Sequence, residues 1–209
     1  MTTTNLESLK KARAAAGRYA YFNSLEYPCP TVLEKINQHM EFLDDFDDDS
    51  FILRGDKCGI LFVGDIGSGK TFGMWKFITD DPDYYFDDND LTVFSGLSLS
   101  RFFENVSKGR VEATNRWEEI FEGWRILFID DLPQASVTPR FLRYFFDLLE
   151  GLNSGKVSEI LINSQYDVDT LCQKWAKASP SSRDIVAGIS RRLKECFKGY
   201  LLKDEREKV

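Results

Sequence analysis

From residue 58 onward, short and almost wholly apolar runs alternate with stretches of helical periodicity. The first run, Cys58-Gly-Ile-Leu-Phe-Val-Gly64, holds no charged residue and ends in glycine. A run of that length without polar alternation predicts a strand buried on both faces. Leu-Thr-Val-Phe-Ser from residue 91, Trp-Arg-Ile-Leu-Phe-Ile-Asp from 124 and Glu-Ile-Leu-Ile-Asn from 159 predict three more strands. Cys-Phe-Lys-Gly-Tyr-Leu-Leu from 196 predicts a weaker last one. Helices are predicted over 71–78, 97–109, 167–175 and 182–193. Phe141, Tyr144, Phe145, Leu148 and Leu149 recur at helical spacing behind Pro139, so a further amphipathic helix opens there with its stripe in the core. Parallel strands need crossover connections, and right-handed crossovers lay helices over the sheet. The expected main domain, residues 50–209, is therefore of the α/β class, a three-layer αβα sandwich.

Upstream of it, residues 5–21 predict a helix carrying Lys10, Lys11, Arg13 and Arg18. A second helical stretch follows Pro28 and Pro30 over 31–42. With the acidic segment that leads to Ser50, these form an expected helical N-terminal appendage over 1–49. There is no internal repeat and no low-complexity tract.

A chain of 209 residues, 43% of them apolar, can bury one sizeable core but not two large ones. No apolar run nears the roughly 20 residues of a membrane-spanning helix, and the amino terminus lacks the apolar core of a secretory signal, so a soluble, cytoplasmic protein is expected. Cys29, Cys58, Cys172 and Cys196 lie far apart without a C-x-x-C pair, which suggests reduced packing residues and neither a disulfide framework nor a zinc ribbon. His39 is the only histidine, which excludes histidine-rich metal sites. The formal charge of -7 argues against a broad basic surface for duplex DNA, so any nucleic-acid contact is local. Acid gathers at Asp44, Asp45, Asp47, Asp48 and Asp49 and again between Asp80 and Asp90. These runs lack the spaced ligands and terminal glutamate of a calcium loop and read as solvated.

Gly64-Asp65-Ile66-Gly67-Ser68-Gly69-Lys70-Thr71 matches G-x-x-x-x-G-K-[ST] between a predicted strand and a predicted helix, the context that motif demands. Its glycines let backbone N–H groups turn inward around phosphates, and the helix that follows presents its positive end to the same anion. Lys70 would reach the β- and γ-phosphates of ATP, and the Thr71 hydroxyl would coordinate magnesium. Ile126-Leu-Phe-Ile-Asp130-Asp131 supplies the other half, with two carboxylates emerging at the carboxyl end of a buried strand, where open α/β sheets bind ligands. Asp130 would hold Mg2+ and Asp131 would polarise the attacking water. Asn163, at the end of the fourth strand, can orient that water or touch the γ-phosphate, with Gln165 as a fallback.

These features resemble, in order and spacing, AAA+ ATPases of the DnaA/DnaC/IstB group over roughly residues 50–202. Ile162-Asn163-Ser164-Gln165 followed by a short helix is most similar to DnaC-type loaders of the replicative helicase, cellular or phage. The resemblance implies a five-stranded parallel sheet and Asn163 as the first sensor. It also implies Arg191 or Arg192, within Ile189-Ser-Arg-Arg-Leu193, as an arginine finger that reaches the ATP of a neighbouring subunit. A homo-oligomer joined through its nucleotide sites follows, hydrolysing ATP to load or remodel a partner, with replicative helicase and single-stranded DNA as the implied partners. No separate helical lid is expected after the last strand. The appendage is shorter than a full loader's helicase-binding domain and holds no zinc ligands.

In this group single-stranded DNA is gripped by residues that follow the second strand. Here Arg101, Lys108, Arg110 and Arg116 are interleaved with Phe102, Phe103 and Trp117, which fits phosphate contact plus base stacking. The same aromatics also fall at core-like helical spacing. The rival functions are an IstB-like transposition helper and a nucleotide-gated binding module with little turnover. A small-molecule kinase is disfavoured by the Asp130-Asp131 pair and by the lack of an acceptor-site motif.

Overall fold

Five strands form one parallel sheet: β1 (Gly59–Gly64), β2 (Leu91–Ser95), β3 (Ile126–Asp130), β4 (Glu159–Ser164) and β5 (Phe197–Leu202). Their order across the sheet is β2-β3-β4-β1-β5. The computed structural model describes residues 59–66, 68, 70–71, 91–122 and 126–202. The expected appendage over 1–49, the acidic segments, His39, Cys29, Cys58, Gly67, Gly69, the helix beyond Thr71 and the chain after Leu202 lie outside the described residues.

All five predicted strands are present, and the register explains why they read as continuous apolar runs. Leu61 pairs with Ile162 and Leu127 with Ile160, so these side chains share one face with Ile129 and join a single core with the helices. The alternate residues Ile60, Phe62, Phe128 and Leu161 point to the other face and are just as buried. Both faces are covered, as a three-layer arrangement requires.

Helix α1 (Gly96–Ser107) starts directly after β2. Ser95 caps it, its hydroxyl accepting from Ser98 N while the Ser98 hydroxyl accepts from Ser95 N. Helix α2 (Val111–Glu122) has no counterpart among the predicted elements, because Ile120 is its only buried residue and the apolar stripe is too sparse to read. Helix α3 (Pro139–Asn153) opens at the expected proline, with the Thr138 hydroxyl accepting from Phe141 N at 3.1 Å. Helices α4 (Val168–Ala178) and α5 (Arg183–Cys196) follow, with one-turn 3-10 helices at Leu132–Gln134 and Pro180–Ser182.

The stripe predicted on α3 is the centre of the core. Phe141 and Phe145 stack 5.8 Å apart, and both meet the edge of Trp175 on α4, at 5.7 and 5.5 Å. Burying each such ring contributes about 1.5–3 kcal/mol. Cys172 and Cys196 are buried, and burial pushes the Cys172 thiol up to about 11, which suits a packing residue and not a nucleophile. Among the described residues, no helix is long and apolar enough to cross a membrane.

Candidate functional site

The motif residues gather at the carboxyl ends of three adjacent strands, β1, β3 and β4. Strand parity brings two of them together. Ile129 on β3 pairs with Ile162 on β4, so one residue further along Asp130 and Asn163 stand side by side on the same face. The Asn163 amide donates to Asp130 Oδ1 at 3.2 Å, and Thr71, at the start of the helix after the glycine loop, donates its hydroxyl to the same oxygen at 3.0 Å. Asp130 is 3% exposed and Asn163 fully buried. The Asn163 Oδ1 is buried with no hydrogen-bond donor among the described residues.

The loop after β1 is closed around a cation. Gly64 is buried, Asp65 and Ile66 point to solvent, and Ser68 turns back so that its N–H reaches Asp65 O at 3.2 Å. Lys70 is 6% exposed, and its Nζ donates to Gly64 O at 2.6 Å, to Asp65 O at 2.7 Å and to Ser68 Oγ at 3.3 Å. All three ammonium protons therefore have acceptors within the loop. Burial lowers the Lys70 pKa from the usual lysine range, and the negative charges of Asp131, Asp130 and Asp65 oppose that shift. The ammonium thus sits among the loop carbonyls, within electrostatic reach of Asp131, Asp130 and Asp65.

Asp131 leaves the strand abruptly. With φ 50 and ψ 50 it is the one non-glycine residue among those described with a left-handed backbone, a conformation aspartate tolerates better than most. The turn carries the chain off the strand axis and into Leu132–Gln134. There Gln134 N donates to Asp131 O at 2.9 Å and the Gln134 amide donates to Asp131 Oδ2 at 3.2 Å. Asp131 is half-buried, whereas Asp130 is enclosed.

Arg191 and Arg192 lie on α5 in contrasting surroundings. Arg192 grips Glu150 of α3 with two hydrogen bonds, Nε to Oε1 at 2.5 Å and Nη2 to Oε2 at 3.1 Å, and gives Nη1 to Glu195 at 2.7 Å. The Arg191 side chain is 61% exposed, and it pairs with the Glu195 carboxylate at 3.9 Å. Glu150 is the residue that sequence reasoning missed, since nothing in the spacing of a charge on α3 shows that α5 packs against it.

The segment after β2 divides its cations from its aromatics. Phe102 and Phe103 are buried, and Phe103 meets Trp117 edge-on at 5.6 Å and Tyr144 at 5.5 Å. These rings weld α1, α2 and α3 together, so the base-stacking expectation for Phe102, Phe103 and Trp117 is corrected. Arg116 reaches back to the Thr92 hydroxyl at 3.4 Å. Lys108 pairs with Glu104 at 2.5 Å, and Arg140 lies close enough, with its Nη1 on Ser107 Oγ at 3.1 Å, to act on the same carboxylate along with Arg110. The hydrogen bond and charge of Lys108, helped by Arg140 and Arg110, hold the Glu104 carboxyl below its ordinary value. Lys108, Arg110 and Arg140 thus surround one acid on an exposed surface, while Arg101 stands apart on the same helix as an exposed side chain.

No protein-family model matches the chain. A stretch of 76 residues is 40% identical to part of a peptidyl-prolyl cis-trans isomerase H of Mycosarcoma maydis. That is 35% of this chain and 46% of the other, so the chain spans under half of that protein and the match assigns no family. Solved structures match over far more of the chain. The structure of DnaI aligns with a TM-score of 0.64 at 13% identity, over 94% of this chain and 93% of that one. The DnaC helicase loader aligns at 0.55 and 14%, over 87% and 96%. AMPPCP-bound DnaA from Aquifex aeolicus aligns at 0.50 and 19%, over 81% of this chain and 46% of that one. At such identities the likeness is one of fold.

Proposed function

Since the chain has the fold of the AAA+ proteins of the DnaA/DnaC group, we propose that it binds and hydrolyses ATP and uses the cycle to load or remodel a partner, a replicative helicase on single-stranded DNA. The observation that carries this reading is the convergence of Lys70, Thr71, Asp130 and Asn163 at the ends of three neighbouring strands. Lys70 exchanges the carbonyls of Gly64 and Asp65 for phosphate oxygens, and the loop and helix N-terminus hold the remaining phosphate charge. The residues fit Mg2+: Thr71 Oγ1 and Asp130 Oδ1 are hard oxygen donors 3.0 Å apart. A site with two protein ligands would suit an ion that keeps water and phosphate ligands. When bound, the ion would neutralise charge between the β- and γ-phosphates.

Asp131, half-buried beside Asp130, orients the attacking water and accepts its proton as the water oxygen bonds to the γ-phosphorus and the bond from phosphorus to the bridging oxygen breaks, releasing ADP and phosphate. The Asn163 amide spends one proton on Asp130 and has a second to give to a γ-phosphate oxygen, while its buried carbonyl can accept from the attacking water, which suits a sensing group. Of the two arginines, Arg191 is exposed enough to serve a neighbouring subunit, whereas Arg192 is committed to Glu150. Lys108, Arg110 and Arg140 form the local basic surface for single-stranded DNA, through phosphate contact without base stacking. Titration with a fluorescent ATP analogue, paired with phosphate-release assays, tests the core of the reading. Lys70→Ala should weaken affinity about tenfold or more, because a charge-assisted contact is worth about 1.5–3 kcal/mol. Asp131→Asn should leave affinity intact and slow hydrolysis. Unchanged affinity in a folded Lys70→Ala protein would overturn the site. ATP binding by the parent without phosphate release would instead make it a nucleotide-gated module, and co-purification with a transposase in place of a helicase would move the partner to the transposition branch.

A further inference from the structure

The turn that carries Asp131 does not stand on its own hydrogen bonds alone. Its outer side rests on the first turn of α1, and the contact is made by two residues with no part in binding phosphate. A Cβ on Gly96 would lie 2.5 Å from Asp131 O, 2.8 Å from Ala135 N and 2.9 Å from Leu132 O. All three are backbone atoms, so no side chain can swing away to make room. Four residues on, the Ser100 hydroxyl donates to Gly96 O at 3.0 Å and accepts from Ser136 N at 2.8 Å. Ser100 is 9% exposed, so its bond to Gly96 is buried, and its bond from Ser136 is partly so. The left-handed backbone of Asp131 is thus enclosed at its own carbonyl by Gly96 and fastened five residues later by Ser100.

We infer that Gly96 and Ser100 are positioning residues for hydrolysis: they hold the 131–136 turn against α1 and so set where the Asp131 carboxylate meets the attacking water. The inference rests on Asp131 being the residue that polarises water. Lys70 and Thr71 reach the nucleotide from another segment, and Asp130 is held at the end of β3 by Thr71 and Asn163, so ATP binding does not depend on the clamp. A methyl at residue 96 must push the turn outward by several tenths of an ångström, and loss of the Ser100 hydroxyl frees Ser136 N. Both displace the carboxylate without altering its chemistry.

The test uses the full chain with five variants: Gly96→Ala, Ser100→Ala, Asp131→Asn, and Asp131→Asn combined with each of the first two. Asparagine tolerates the left-handed backbone as aspartate does, so Asp131→Asn keeps the turn and removes only the charge. Gly96→Ala should lower the turnover number about tenfold or more, since misplacing a reacting group by ~1 Å can cost a hundredfold, with ATP affinity within about twofold of the parent. Ser100→Ala should lower it by a smaller factor in the same manner. Neither change should slow hydrolysis further in the Asp131→Asn background, because a positioning residue has nothing left to position. Parent-like turnover in both single variants, with Asp131→Asn slow, would overturn the clamp while leaving the role of Asp131 intact. Undiminished losses in the Asp131→Asn background would also overturn it and mark both residues as general supports of the fold. If Asp131→Asn itself matches the parent, the reading of Asp131 fails and the clamp with it. Should Gly96→Ala not fold, as judged by its thermal melt, Ser100→Ala carries the same comparison alone.

Discussion

Asp130 Oδ1 accepts from both Thr71 and Asn163, so one buried oxygen ties together residues from three segments of the chain. The two arginines of α5 show how differently neighbouring residues of one type can be employed. Arg192 makes a two-pronged pair with Glu150 at 17% side-chain exposure, whereas Arg191 makes one long contact in solvent. Removing one member of a partly enclosed, geometrically matched pair costs about 1–2 kcal/mol, and an exposed pair is worth about 0–1 kcal/mol. Arg192→Ala should therefore lower the melting temperature by a few degrees, and Arg191→Ala should leave it unchanged. Phosphate release should show the reverse order, with Arg191→Ala inactive and Arg192→Ala active wherever it is folded. Equal melting temperatures and equal turnover in the two variants would remove the distinction.

Among the elements, α4 depends visibly on a single cap. Asp167 accepts from Thr170 N at 2.8 Å and from the Thr170 hydroxyl at 2.9 Å, and these bonds hold its carboxyl below the ordinary range. Because the folded-state value is depressed, the stabilisation is present above the unfolded value of about 4 and is lost as pH falls through the folded one. Asp167→Ala should cost about 1 kcal/mol near neutrality, or about 2–4 °C in melting temperature for a chain of this size. The gap between parent and variant should close as the pH is taken below the carboxylate range, and a gap that persists unchanged at low pH would show that the charge plays no part. The same helix buries Trp175 between Phe141 and Phe145, so a frayed α4 loosens the core as well as its own first turn.

For the whole molecule, the groups proposed to bind and sense ATP lie at the carboxyl end of the sheet, and the exposed Arg191 lies on a helix. A finger that serves a neighbour makes hydrolysis depend on assembly, and its contribution reaches a thousandfold or more in well-studied cases. Turnover should then rise with protein concentration. Mixing Lys70→Ala chains with Arg191→Ala chains should restore part of the activity, since each supplies what the other lacks across one interface. Inactivity of a mixture that demonstrably co-assembles would show that Arg191 does not act in trans.

The strands were legible because their centres are buried on both faces and so read as apolar runs, and the glycine loop because its residue types recur at a fixed spacing. Asp130 and Asn163 could be read as strand-end polar residues for the same reason. Helix α2 could not, since one buried residue leaves no periodic stripe, and Phe102, Phe103 and Trp117 were ambiguous because a core stripe and a stacking platform share one sequence pattern. What a sequence by itself determines here is local: burial period, turn chemistry and the loop that follows β1. Only the tertiary structure decided which distant residues share a face, which of Arg191 and Arg192 is occupied by Glu150, and that Gly96 lies against the carbonyl of Asp131. Those outcomes depend on strand order and helix packing, which join residues far apart along the chain and leave no mark in the spacing of either partner.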